Sequence, residues 1–136
     1  MSLKKIRLQY VVLTVIWLGL IYYFSSQGAS QSQNQSLFIT NIVSIVFRFE
    51  NSEILHGIIR KCAHAFEYFV LGFLLYNCVK DKRWMMICIL LCFFFAGMDE
   101  FHQLFVPLRH GSILDVCLDG FSSFCSILLC HKILKF

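Results

Sequence analysis

Residues 8–24 form a run of 17 residues without a single charge. A helix needs about 17 to 25 such residues, at about 1.5 Å each, to cross a bilayer core of roughly 30 Å. Long apolar runs recur at 62–79, 84–98 and 112–130, broken only by isolated ionisable residues. Lipid offers the backbone no hydrogen-bond partner, so a spanning segment must satisfy its own amides as a helix or a closed barrel. The chain has 136 residues, enough for one domain. It is 58% hydrophobic and 15% charged, whereas soluble domains run near half and a quarter. A soluble helical core is excluded because helices that are apolar all round have nothing to hide against in so short a chain. The expectation is one domain, residues 1–136: an all-α polytopic transmembrane helical bundle of four spans plus a short interfacial helix.

The first span is read at 8–24, behind Lys4, Lys5 and Arg7. A basic start before an apolar middle also describes a signal peptide. Residues 25–27 hold no small-x-small cleavage site, however, and Trp17, Tyr22 and Tyr23 are bulky, so the span is expected to be retained. A polar Ser, Gln and Asn stretch covers 25–36. Residues 37–47 are uncharged but too few to cross the core, and Arg48, Glu50 and Glu53 interrupt them. That pattern predicts an interfacial helix against the outer leaflet. The second span is 62–79, followed by a charged turn at 80–83. The uncharged run 84–98 reaches only about 22 Å. The third span is therefore extended through Asp99 and Glu100 to about 105, and Pro107 ends it. Gly111 and Ser112 open the fourth, 112–130.

Four spans put both termini and the 80–83 turn on one side. That side holds Lys4, Lys5, Arg7, Lys80, Lys82, Arg83, Lys132 and Lys135, which is 8 of the 12 basic residues; Arg48, Arg60, Lys61 and Arg109 lie opposite. The positive-inside rule makes the richer side cytoplasmic. Seven of the eight acidic residues, all but Asp81, then fall on the extracytoplasmic side. A net charge of +4 with the basic residues at span ends orients a membrane protein; no basic stripe with interleaved aromatics suggests nucleic acid. The seven Cys form no CxxC pair, and nearly all sit in apolar runs as small hydrophobes.

The ionisable residues share one depth. His64 is about one turn into the second span and Glu67 about two; Asp115 and Asp119 enter the fourth span likewise, and Asp99 and Glu100 stand near the outer end of the third. Lys61, His64 and Tyr68 fall at i, i+3 and i+7, and Asp99–Gln103 and Asp115–Asp119 are four apart, so each set occupies one helix face. A charge facing lipid is costly, so these faces should turn inward and meet. The predicted result is an outward polar pocket rimmed by Arg60, Lys61, Arg109 and His110. One such pair alone would read as a bundle lock; a cluster of this size in a short chain reads as functional. Arg48, His56 and His131 read as interfacial or flanking residues.

These residues carry a resemblance. Arg60-Lys61-Cys62-Ala63-His64-Ala65-Phe66-Glu67-Tyr68 with Leu71-Gly72, and the run from Asp99 through Arg109 to Asp115 with Asp119-Gly120, resemble the two signatures of the VanZ-like family. Phe24-Ser25-Ser26-Gln27 is similar to that family's exit from its first span. Leu108 stands where the family often has Gly. The resemblance implies a multi-spanning bacterial envelope protein, and its name-giving members are linked to low-level resistance to the glycopeptide teicoplanin.

Three functions are compatible with these residues. The first is binding, in the outward pocket, of an anionic membrane lipid, a lipid-linked cell-wall precursor or a glycopeptide-type molecule. Arg60, Lys61 and Arg109 would meet phosphate or carboxylate, with Tyr68 and Gln103 beside them. The second is an intramembrane enzyme acting on a lipid-linked envelope substrate, with His64, Glu67, Asp99, Glu100, Asp115 and Asp119 supplying acid–base chemistry. The third, solute transport, lacks a charged relay through the inner half of the spans. The spacing of His64, Glu67, Asp99 and His102 matches no standard metal motif, so neither metal nor cofactor is expected. No nucleophile elbow or phosphate-cradling Gly loop is present.

Overall fold

The computed structural model describes residues 6–27, 52–107, 109 and 111–133, with the backbone alone at 52–54 and 56. It contains helices α1 (Leu8–Ser25), α2 (Ser52–Val79), α3 (Met85–Gln103) and α4 (Ile113–Ile133), with a 3₁₀ turn, Lys82–Trp84, leading into α3. Among the described residues there is no strand, and the protein is an all-α bundle. All four helices are long and apolar enough to cross a membrane. The interfacial helix predicted at 37–47, Arg48, Leu108, His110 and the side chain of His56 lie outside the described residues.

Helix ends follow local chemistry. Helix α2 begins at Ser52, well before the apolar run, because Arg60 and Lys61 interrupt hydropathy without interrupting helix propensity. The turn after α2 is closed by Asp81, whose carboxylate accepts the Arg83 backbone N–H at 3.0 Å and pairs with the Arg83 guanidinium at 2.9 Å. Lys80 takes the left-handed backbone conformation (φ 42°) and lets the chain reverse there. Helix α3 stops at Gln103. Three successive i→i+3 bonds, from the N–H groups of Leu104, Phe105 and Val106, tighten its end ahead of Pro107. Ser112 opens α4 by accepting from the N–H groups of Asp115 and Val116, and His131 and Lys132 sit in its last turn.

Consecutive helices run in opposite directions. At one end Arg7 N–H reaches the Cys78 carbonyl at 3.0 Å and Tyr76 Oη lies 2.8 Å from His131 Nδ1, joining the start of α1 and the end of α4 to the end of α2. At the other end Arg109 reaches the last residue of α1, and α2 begins. Helices α2 and α4 share the most extensive contact. Helix α1 is peripheral: 17% of its span is buried, against 39% for that of α2. It packs chiefly on α2 and touches α3 lightly.

The bundle buries charged residues at one end and exposes apolar side chains along its outside. Val15, Leu90, Phe94 and Phe121 are exposed, while Asp99, Glu100, Arg109, Asp119 and Ser123 are buried. A soluble monomer does not display such continuous apolar surface; lipid is the solvent that matches it. An apolar core of Leu71, Cys92, Ala96 and Ile127 lies at mid-bundle with Tyr68. Gly72 sets the α2–α4 distance, since a Cβ there would stand 2.7 Å from the Ser123 carbonyl oxygen and 3.0 Å from its Cα. Small residues permit such close helix approach in membranes.

Gly72→Ala is therefore expected to lower stability by about 1–3 kcal/mol through overpacking. Gly19→Ala, where a Cβ meets nothing within 4 Å, should leave it unchanged or raise it by about 0.5–1 kcal/mol through helix propensity. Denaturation of the two purified variants in detergent, followed by circular dichroism, compares them.

Candidate functional site

The polar residues converge at the end of the bundle where α1 and α3 finish and α2 and α4 start. Asp99, Glu100 and Gln103 on the last two turns of α3 are 7%, 5% and 3% exposed. The i, i+4 spacing lets Gln103 Nε2 donate to Asp99 Oδ2 at 3.2 Å. Glu100 turns the other way: its Oε2 accepts the Ser112 N–H at 2.8 Å, placing a carboxylate on a backbone donor at the start of α4. The connecting turn lies flat on α3, and at Gly111 a Cβ would stand 2.6 Å from the Glu100 carbonyl oxygen. This packing holds Asp115, in the first turn of α4, over the site.

Helix α2 brings three residues down one face. Lys61, half-exposed, forms an ion pair with Asp115; such a pair contributes about 0–1 kcal/mol. One turn deeper, His64 Nδ1 lies 3.6 Å from Glu67 Oε2 and 4.0 Å from Asp99 Oδ2. Both distances exceed a hydrogen bond, so the imidazole stands between two carboxylates and is bonded to neither. Deeper still, Tyr68 is fully buried and donates its Oη–H to the Phe95 carbonyl at 3.1 Å. Neighbouring helices clasp the backbone of this stretch. Trp17 Nε1–H donates to the Glu67 carbonyl at 2.9 Å, Ser122 to that of Ala65 at 2.5 Å, and Ser123 to that of Tyr68 at 2.8 Å. These bonds fix the height of His64 and Glu67 relative to α1 and α4.

Arg109 and Asp119 are buried with hydrogen-bonding capacity unfilled among the described residues. Arg109, expected on the rim, is only 7% exposed. Its Nη1 donates to the Ser25 carbonyl at 3.2 Å, at the negative end of the α1 dipole. Its Nε is buried with no hydrogen-bond partner among the described residues. Burial, reinforced by Arg60, pulls the guanidinium below its ordinary pKa, against the opposing influence of Asp99, Glu100 and Glu67; a guanidinium still keeps its charge. Asp119 is 1% exposed, and neither carboxylate oxygen has a partner among the described residues. Its backbone carbonyl accepts from Ser123 Oγ at 3.0 Å, so α4 is satisfied there while the carboxyl group is not.

Residues predicted from spacing thus meet in part. Lys61 joins Asp115; His64 joins Glu67 and Asp99; Asp99 joins Gln103. Glu100 is engaged by backbone, Tyr68 by the Phe95 carbonyl, and Arg60 is half-buried at the start of the cluster. The carboxylates beside His64 are Glu67 and Asp99, not Asp115 or Asp119. Among the described residues no three His, Cys, Asp or Glu side chains lie close enough to hold a metal ion. Spacing missed Trp17, Ser25 and Ser123, which are ordinary residues until their partners across the bundle are known. It also undervalued His102, which follows Asp99 by three and shares its face. The His102 ring lies 4.7 Å from that of Tyr22, and its Nε2 is buried without a partner among the described residues.

Four apolar helices closing over a charged cluster at one end define a small multi-pass membrane protein with an internal polar site. The family model described as VanZ/LLP1 matches residues 10–135 of the 136, and the chain belongs to that family. No curated protein and no solved structure matches it.

Asp119→Asn keeps volume and removes a buried ionisable group that no cation holds among the described residues, so it should fold with unchanged or higher stability. Ser123→Ala removes a hydroxyl donor to two carbonyls and should cost about 1 kcal/mol. Thermal unfolding in detergent reads both. An Asp119→Asn protein less stable than Ser123→Ala would make Asp119 a structural lock.

Proposed function

We propose that the polar cluster is the binding site for an envelope amphiphile: a membrane lipid or lipid-linked wall precursor with a phosphate-bearing headgroup, taken from the extracytoplasmic leaflet. The distribution of basic residues supports that orientation, since Arg7, Lys80, Lys82, Arg83 and Lys132 all lie at the end opposite the cluster. The observation that carries the reading is Arg109. The Arg109 guanidinium is buried and its Nε has no partner among the described residues; a strong donor left unsatisfied costs about 1–3 kcal/mol or more. A phosphate or carboxylate oxygen is the acceptor that guanidinium geometry favours.

The rest of the cluster sets conditions on the headgroup. Arg60, Lys61 and Arg109 face Glu67, Asp99, Glu100, Asp115 and Asp119, so acids outnumber cations. Glu67 Oε2 and both Asp119 oxygens are unpartnered acceptors among the described residues. A bare anion would be repelled; a phosphate that also carries hydroxyl or amine donors fits both kinds of group. Acylated glycopeptides of the teicoplanin type share that mixture of apolar tail and polar donors.

A second reading is favoured by His64. An imidazole within 4.0 Å of two carboxylates is the arrangement of a general base and its orienting acids, loose before the substrate tightens it. In that reading His64 takes a proton from a hydroxyl of the bound headgroup, Glu67 or Asp99 stabilises the imidazolium, and Tyr68, Gln103 and Arg109 position the substrate.

Lipids co-purified with the protein and identified by mass spectrometry test binding. Wild type should retain a phosphate-bearing lipid, Arg109→Lys should lose most of it, and Arg83→Lys, at the opposite end, should match wild type. Equal retention in all three would end the reading. His64→Gln separates binding from chemistry: retention with no modified lipid in wild type supports binding alone, whereas a modified product seen in wild type and absent from the variant supports catalysis.

A further inference from the structure

A cleft opens between α1 and α3 beside the polar cluster. Leu18, Ile21 and Tyr22 of α1 line it with Phe95, Met98 and His102 of α3, and its volume is about 150 Å³. Tyr68 and Asp99 form its inner wall, so it is continuous with the cluster. Both helices run the same way, which orders the lining by depth. Leu18 and Phe95 are at the apolar mid-bundle level, and Tyr22 and His102 meet at the polar end. From Phe95 to His102 the wall climbs about 10 Å along the axis. The polarity therefore changes along the cleft in the order of a lipid molecule, hydrocarbon below and headgroup above.

Three further observations bear on the occupant. The cleft lies where α1 touches α3 only lightly, and its flanks open on lipid: Tyr22 is 59% and Met98 52% exposed. Its upper end carries a buried imidazole nitrogen, His102 Nε2, without a partner among the described residues. The lower part of the cleft, lined by Leu18, Ile21 and Phe95, is apolar, and a volume of about 150 Å³ is on the scale of a benzene-sized group. That is room for a segment of one hydrocarbon chain and not for a sterol or a second helix. A larger groove between α2 and α4, of about 280 Å³, is lined by Phe69, Phe73, Ser126, Leu129, Cys130 and Ile133. It holds no ionisable side chain except the thiol, and nothing indicates what covers it.

We infer that the α1–α3 cleft is a lateral binding site for one acyl chain of a membrane lipid, with His102 and Asp99 contacting its headgroup region where the chain enters the polar cluster. The ligand of the proposed site then arrives sideways from the leaflet, between Tyr22 and Met98, and not from the aqueous face over Lys61. The inference rests on the headgroup reading given above for its polar half, and on the cleft alone for its apolar half. Tyr22 stands at the entrance with its ring against that of His102.

The test is photolabelling of wild-type protein in phosphatidylcholine nanodiscs containing phosphatidylglycerol with a diazirine in its acyl chain. Peptide mass spectrometry should place the label at Leu18, Tyr22 and Met98 above the lipid-facing background of Val15, Leu90 and Phe94. Met98→Trp and the milder Leu18→Phe, which fill the cleft, should reduce cleft labelling by roughly tenfold, the scale of one overpacked contact. Leu129→Trp in the α2–α4 groove should not. Label spread evenly over all lipid-facing residues of the wild type overturns the inference without requiring any variant to fold. Cleft labelling that survives both filling variants overturns it too. Loss of phosphatidylglycerol retention in Arg109→Lys, together with unchanged labelling in the filling variants, leaves the headgroup site standing and removes the chain site. Cleft labelling that is unaffected by Arg109→Lys keeps the chain site and removes the reading in which Arg109 holds the headgroup phosphate.

Discussion

An ionised side chain in contact with hydrocarbon is among the most costly arrangements a protein can adopt, by about 2.5 kcal/mol or more for each group. In this chain three helices carry such groups at the same height, and the bundle is arranged so that most of them turn inward. Lys61 reaches Asp115 across α2 and α4, His64 reaches Asp99 across α2 and α3, and Arg109 reaches the end of α1. The exposed surface is left to Val15, Leu90, Phe94 and Phe121. The polar interior is the condition for the apolar exterior.

That requirement also explains why the interior is incompletely satisfied. Apolar association supplies little drive between helices in lipid, so close packing and buried hydrogen bonds must hold the bundle. Serine, tryptophan and tyrosine side chains carry that part here, through carbonyls of Ala65, Glu67, Tyr68 and Phe95. The ionisable side chains are held in place by these neighbours without saturating one another. His64 stands between two carboxylates, Arg109 has a nitrogen to spare, and Asp119 has two oxygens. The binding proposed for this cluster depends on those gaps, because a group already fully bonded has nothing left with which to recognise another molecule.

The loose α1–α3 contact belongs to the same account. Helix α1 contributes Trp17 and the Ser25 carbonyl to the cluster but buries little of itself. A helix that packs chiefly on α2 can stand away from α3 at small cost. Polar chemistry inside the bundle and hydrocarbon outside it then share one boundary, at Asp99 and Tyr68.

The four helices could be read from the chain alone, because an uncharged run of about 17 residues or more suits a spanning helix in lipid, which must satisfy its own backbone. The sequence also determined which end holds the charges, because depth along a helix is counted in residues, and which charges share a face, because i, i+3 and i+4 positions stack. Two motifs were enough to resemble the family that the chain proved to belong to. Partnership was decided only by tertiary structure. Helical rotation and inter-helix distance select among carboxylates at equal depth, so His64 met Glu67 and Asp99 while Glu100 was taken by the Ser112 amide. Arg109, which looked like a rim residue from its place in a turn, was drawn inside by the open carbonyl end of α1. Spacing within one helix is local and legible; contact between helices depends on how closely backbones such as those at Gly72 and Ser123 can approach, and no single segment carries that distance.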